Sequence, residues 1–229
     1  MKVLFLLIGL LMSLQYAYAL QLNLASKDTL EYTSETFQFT DAQGKQVLEG
    51  TLTIPEKFTS STKLVVLVAP PLPIPRDYYG LFSTLADILS KNGCATFRFD
   101  NRAYTDKSLS EEDEAVTMFD QADDIHEAIK ALRRDKRFVY HPIGLLGHSE
   151  GGNAVAIETS RNKDVNFVIC LSTCGIKGID FAYEQTSVPI LFNRKMPDDV
   201  REFILKSLKS YLHIVNEYNS LDSIKNNLK

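Results

Sequence analysis

Gly147-His148-Ser149-Glu150-Gly151 is the segment whose residue types and spacing have most to offer chemically. It follows a short apolar run at 143–146 (IGLL) and opens a segment, 150–161, that reads as a helix carrying Ala154, Val155, Ala156 and Ile157. A G-x-S-x-G motif between a buried strand and a helix holds its serine on a very tight turn, with the hydroxyl raised above the sheet edge. Side chains at 147 and 151 would collide with the neighbouring strand and helix. The helix N-terminus adds partial positive charge where an anionic intermediate would form. Ser149 is therefore the candidate nucleophile for acyl transfer, and the backbone N–H of Glu150 is the first candidate oxyanion donor. The bare motif arises by chance in many sequences. The strand before it, the helix after it and the small residues Gly152 and Ala154 raise it above that background.

The elements that must position this turn follow from periodicity. Residues 35–40 and 46–54 read as two strands around the turn-rich Asp41-Ala42-Gln43-Gly44, and Pro55 ends the second. Residues 63–69 (KLVVLVA) form a continuous apolar run that suits a strand buried on both faces of a parallel sheet. Pro70, Pro71, Pro73 and Pro75 then exclude regular structure. Residues 79–91 carry Leu81, Phe82, Leu85, Ile88 and Leu89 at helical spacing, with Asn92-Gly93 as a stop. Residues 95–99 read as a strand, 120–134 as an amphipathic helix with Ala122, Ile125, Ile129 and Leu132 on one face, and 166–171 as a fourth buried strand. Strands alternating with helices predict an α/β fold: a mostly parallel sheet with flanking helices and antiparallel N-terminal strands. Residues 197–216 and 221–229 read as helices, so a partial helical cap is expected at the C-terminus.

Gly-His-Ser-Glu-Gly-Gly at 147–152 resembles a bacterial branch of the α/β-hydrolase superfamily, described as esterases or serine-aminopeptidase-like hydrolases. The resemblance extends over roughly 35–185. Phe99-Asp100-Asn101-Arg102 is similar to the family's D-x-R-G motif, Arg76-Asp77 to its R-D pair, and the helix with Asp120, Ala122, Asp123 and Leu132 to the helix before the nucleophile strand. It implies hydrolysis of a carboxylic ester or amide through an acyl-Ser149 intermediate, with a small-molecule substrate and no cofactor.

Three departures bear on activity. Acyl transfer needs a base and an acid to orient it, in the order Ser, Asp or Glu, His for this superfamily. The only His after Ser149 is His213, placed by the sequence in a helix among Leu212, Ile214 and Val215. His148 adjoins the serine on a tight turn and points elsewhere, while His126 and His141 read as surface or loop residues. The one later strand-like piece is 188–192 (VPILF), followed by Pro197-Asp198-Asp199. It reads either as the acid-bearing strand, with Asp198 or Asp199 as acid, or as part of a helical cap, in which case both partners lie beyond Lys229. The two helices after it suit the cap. Finally, the loop that usually supplies a second oxyanion donor is Pro70-Pro71-Leu72-Pro73, and of these only Leu72 has an N–H. Asp198, Asp199 and His213 are thus weak candidates for acid and base, and Leu72 is the candidate second donor.

Composition bounds the rest. The chain has 229 residues, 45% hydrophobic, with formal net charge -4. That suffices for one domain with a real core, and no basic stripe invites nucleic acid. Lys2, the apolar stretch at 3–14 and Ala17-Tyr18-Ala19 read as an export signal at 1–19. Its apolar run is shorter than the roughly 20 residues a membrane span needs. The expectation is an exported chain, periplasmic or extracellular, without a stable span after cleavage; an uncleaved anchor is the other reading. The expected domains are 20–184, the core with the Ser149 turn, and 185–229, the helical segment. The acidic run 111–114 reads as a solvated loop. Cys94, Cys170 and Cys174 lack zinc-like spacing; Cys94 and Cys170 read as core filler, and a Cys170–Cys174 disulfide lacks support. No P-loop or dinucleotide fingerprint is present. The alternatives to a hydrolase are a non-catalytic binding or scaffold relic and a truncated gene product of the same fold.

Overall fold

The computed structural model describes residues 31–105 and 116–217. The expected signal at 1–19, the acidic run at 111–114 and the helix at 221–229 lie outside them. The chain divides into two compact units, one ending at Leu171 and one starting at Ser172. The division falls earlier than the expected boundary between 184 and 185.

The first unit is built on a sheet of six strands: β1 (Tyr32–Thr40), β2 (Val47–Pro55), β3 (Leu64–Val68), β4 (Ala95–Phe99), β5 (Ile143–His148) and β6 (Val165–Leu171). Their order is β1-β2-β4-β3-β5-β6. β1 pairs with β2, and β2 with β4, antiparallel; β4, β3, β5 and β6 run parallel. Helices α1 (Leu81–Lys91), α2 (Arg102–Thr105), α3 (Met118–Arg134) and α4 (Glu150–Arg161) connect these strands. Strand starts and ends fall within a few residues of the sequence-based expectation, and β4 and α4 coincide with it.

The continuous apolar run at β3 is explained by the packing. All five of its residues are buried, with Leu64, Val66 and Val68 directed to one core and Val65 and Leu67 to another. The first core takes Ile125, Ala128, Ile129 and Leu132 from α3 and Ala154 and Val155 from α4. The second takes Phe82 and Ala86 from α1. Helices on both faces leave a central parallel strand no solvated side, so alternation vanishes. Phe97 on β4 contacts Phe37, Phe39 and Phe99 at centroid separations of 5.4, 6.1 and 5.7 Å.

A buried ion pair ties the sequence-distant loops together. The Arg102 guanidinium donates to both Asp124 carboxylate oxygens, at 3.2 and 2.5 Å, and the N–H of Ala42 donates to Asp124 at 2.9 Å. Burial pushes the Asp124 carboxyl up from its ordinary value, opposed by Arg102. The pair thus holds α3 to the β1–β2 turn and to the segment after β4.

Two readings are refined here. His141, read as a surface or loop residue, lies in the loop before β5 but is buried: its Nδ1 lies 2.8 Å from the Thr62 carbonyl and its ring stacks on Phe58. Cys170 is exposed on β6 rather than core filler, while Cys94 is partly buried against the α1 core; all three cysteines are free thiols. β6 is the last strand of the sheet among the described residues, so its side chains lack the two-sided cover that β3 has.

The second unit contains α5 (Gly178–Leu191) and α6 (Asp198–Glu217). The strand-like VPILF run at 188–192 is not a strand: it forms the end of α5, with Pro189 inside the helix. A short apolar run does not separate strand from helix by periodicity, and here it continues a helix already begun. No helix among the described residues is long and apolar enough to cross a membrane.

Replacing Arg102 by Leu should leave a buried unpaired carboxylate and cost about 3–5 kcal/mol. Urea unfolding would measure this, and Arg102→Leu with Asp124→Leu should recover much of the loss. The pH profile offers a second check. Hydrogen bonds from Arg137 hold the Asp135 carboxyl below its usual range, and those from Arg76 do the same for Glu49. Both groups bind protons more weakly folded than unfolded, so their contribution is present above the unfolded value and lost as pH falls through the folded one. The thermal midpoint should fall once pH drops below about 4; a flat midpoint between pH 5 and 3 would contradict this.

Candidate functional site

β3 leads through α1 to β4 on one side of it, whereas β5 lies on its other side. The strand order therefore reverses between β3 and β5, and a crevice opens at their carboxyl ends. Val68 is in register with Gly147, so the loop after β3 and the turn after β5 emerge side by side.

Ser149 occupies that turn. It has φ 54 and ψ -128, between the last residue of β5 and the first of α4. A positive φ is uncommon for a residue with a side chain and carries strain that its surroundings must hold. Its N–H donates to the Leu171 carbonyl at 2.9 Å, and its own carbonyl accepts from Gly152 at 3.0 Å. The flanking glycines are required by contact. A Cβ on Gly147 would lie 2.6 Å from the Gly152 Cα, and one on Gly151 2.7 Å from the Ala69 carbonyl oxygen. These neighbours are backbone and cannot rotate away. α4 thus packs its first turn directly onto the ends of β3 and β5, and the Glu150 N–H lies at its N-terminus.

The loop after β3 is held by side chains whose role the sequence did not disclose. Asn101 Nδ2 donates to the carbonyls of Pro70 and Leu72, both at 2.9 Å. Buried Gln121 donates to the Ala69 carbonyl at 2.6 Å. Asn101 stands inside the Asp-Asn-Arg motif, which was the available signal; Gln121 had none. The same motif engages Arg76 of the Arg-Asp pair, and Arg98 on β4 engages Asp77. Asp100 accepts from the Arg76 N–H at 2.7 Å and from its guanidinium at 2.6 Å, and Asp77 accepts from Arg98 at 2.7 Å.

Leu72 does not fit the expectation of a second oxyanion donor. Its N–H already donates to the Pro70 carbonyl at 2.8 Å, within the proline-rich turn. The histidines of the first unit are also engaged elsewhere. His126 is on α3 and meets the buried Glu158 carboxylate at 2.8 Å through Nδ1. His148 packs edge-on against Tyr78, with ring centroids 5.3 Å apart. Burial pushes the Tyr78 hydroxyl up from its usual range.

The weak acid and base candidates all fall on α6. Asp198 and Asp199 stand in its first turn, with Asp198 3.7 Å from Arg201, and no strand precedes them. His213 is near its other end, 3.5 Å from Glu217. At about 1.5 Å per residue they lie roughly 20 Å apart along one helix. They cannot pair with each other as acid and base.

This arrangement is the α/β-hydrolase fold, and solved structures bear it out. The chain aligns with a dienelactone hydrolase from Anabaena variabilis at TM-score 0.53 and 20% identity, over 62% of this chain and 64% of that one. It aligns with an esterase from Pyrococcus furiosus at TM-score 0.53 and 18% identity, over 79% and 61%. Brefeldin A esterase, a bacterial homologue of human hormone sensitive lipase, aligns at TM-score 0.53 and 15% identity, over 72% and 47%. The chain thus spans less than two thirds of each. No protein-family model and no curated protein matches it.

Gly151→Ala should destabilise the chain by about 2–4 kcal/mol, because its methyl group meets two backbone carbonyls that cannot yield cheaply. Ala154→Gly, in the same helix, should cost only about 1 kcal/mol by helix propensity, plus the loss of one buried methyl group. Parallel urea titrations of the two variants check the difference.

Proposed function

We propose that this chain is a serine hydrolase of the α/β-hydrolase type, cleaving a carboxylic ester or amide through an acyl-Ser149 intermediate. The observation that carries the reading is the Ser149 turn: a strained serine at the mouth of a helix, at the strand-order reversal, between glycines with no room for a side chain. Ester-cleaving neighbours of the same fold support it. In this reading the Ser149 Oγ attacks the carbonyl carbon, its proton passing to solvent water, and the Glu150 N–H receives the developing oxyanion beside the α4 dipole. The tetrahedral species collapses by breaking the ester C–O or amide C–N bond, and the leaving alcohol or amine takes up a proton from water. A water molecule then adds to the acyl carbon, releasing the carboxylic acid and restoring the Ser149 hydroxyl. Export, read from residues 1–19, places the reaction in the periplasm or outside the cell.

Turnover by the chain as it stands is slow in this proposal. Leu72's engaged N–H removes one donor, a loss of about 10²–10³ in rate where such donors have been deleted. Among the described residues of the first unit no histidine is paired with Ser149; a serine so placed is a weak nucleophile at neutral pH, and loss of a triad member leaves about 10³–10⁴ over water in proteases. The same engaged Leu72 favours a second reading, a non-catalytic binding module of this fold.

A fluorophosphonate should add one phosphonyl group per chain at Ser149, by intact-mass and peptide analysis. Ser149→Ala should remove both the adduct and the slow hydrolysis of p-nitrophenyl acetate. A folded wild-type chain that neither labels nor hydrolyses would reject the hydrolase reading in favour of the binding module.

A further inference from the structure

Tyr78, Tyr79 and Gly80 form a tight turn just before α1 in which all three residues have positive φ, at 45, 53 and 94. For glycine this is free; for two consecutive tyrosines it is not. Such strain persists only where the surroundings over-determine it. Here they do. Arg76 is bound by Asp100 and Glu49, Asp77 by Arg98, the Tyr78 N–H by the Pro75 carbonyl, and the Gly80 N–H by the Asp77 carbonyl. The consequence is an outward-pointing ring. Tyr79 is 83% exposed, although its neighbour Tyr78 is packed against Phe82 and against His148, the residue next to Ser149. The rings of Tyr78 and Tyr79 are 6.2 Å apart and tilted at 52°. A second exposed ring, Tyr104, lies in the segment after β4, its N–H held by Asn101, the residue that also pins Leu72. Both tyrosines therefore belong to the segments at the carboxyl ends of β3 and β4, the end of the sheet at which Ser149 follows β5.

Resting on the hydrolase reading above, we propose that Tyr79, backed by Tyr78 and assisted by Tyr104, is a specificity-determining aromatic rim of the Ser149 site, selecting esters that carry an aromatic ring. A flat apolar group meeting exposed rings gains area burial and an offset or edge-to-face contact. An acetyl ester offers neither. Holding the rings in a strained, pinned turn orders them before the substrate arrives, so less freedom is lost on binding.

The test uses Ser149→Ala, which keeps an ester intact, and saturation-transfer NMR with methyl phenylacetate and methyl acetate. The phenylacetate should bind at least tenfold more tightly. Adding Tyr79→Gly, whose backbone suits the positive φ and preserves the turn, should reduce the preference to about twofold or less. Adding Tyr79→Phe should retain it, and so should Tyr140→Ala, which removes an exposed ring ahead of β5, at the other end of that strand. An unchanged preference in Tyr79→Gly, or no preference in the parent, overturns the rim. Fluorophosphonate labelling of the wild-type chain reports separately on the reaction. Aromatic preference without labelling leaves the rim standing as a binding site and removes the chemistry; labelling without preference does the reverse.

Discussion

Backbone contact between the start of α4 and the ends of β3 and β5 is the constraint from which the rest follows. Gly147 and Gly151 have no space for a Cβ because the helix backbone sits directly on strand backbone. That proximity forces the chain to turn within one residue, and Ser149 absorbs the turn with a positive φ. An ordinary loop would relieve the strain but would carry the helix away from the sheet. The strained serine and the close-packed helix are one feature, described once from the backbone and once from the packing.

A second layer of polar contacts stabilises the loops around that turn. Asn101 and Gln121 hold the carbonyls of Ala69, Pro70 and Leu72, Asp100 holds Arg76, and Asp124 holds Arg102. A proline-rich loop has few N–H groups and cannot form regular ladders. Side chains from β4's exit and from α3 satisfy its carbonyls instead, as buried polar backbone requires. This explains why residues far apart in the chain, at 70–77, 100–102 and 121–124, act as a single scaffold. The same scaffold uses the Leu72 N–H internally, so order in the loop comes at the expense of a free donor.

The parallel core was legible because burial on both faces leaves a plain mark: runs such as LVVLV and IGLL, spaced by amphipathic helices. The Ser149 turn was legible because two glycines are needed at fixed offsets. What the sequence concealed depends on neighbours. VPILF looks the same in a strand and at the end of a helix, and its fate was set by the helix preceding it. His141 read as a surface or loop residue; it is in a loop, yet a backbone carbonyl and the Phe58 ring provide a buried place for it. Cys170 sits in an apolar strand but at the last position of the sheet among the described residues, which only topology reveals. The occupation of the Leu72 N–H by Pro70 is a matter of loop geometry that composition does not encode.

β3 bonds to β4, about thirty residues later, and to β5, about eighty residues later. Pairings so distant in sequence pay loop-closure entropy before any contact rewards them. During synthesis the middle of the sheet therefore stays open until the segment through 148 has left the ribosome. Gly151 must then settle on Val68 and Ala69, and the Ser149 N–H must find the Leu171 carbonyl, so the serine turn is complete only once β6 has joined the sheet. A nascent chain stalled ahead of residue 143 would show no amide protection in β3 against β5. The serine turn is in this way withheld from any copy of the chain whose segment through Leu171 is not yet made.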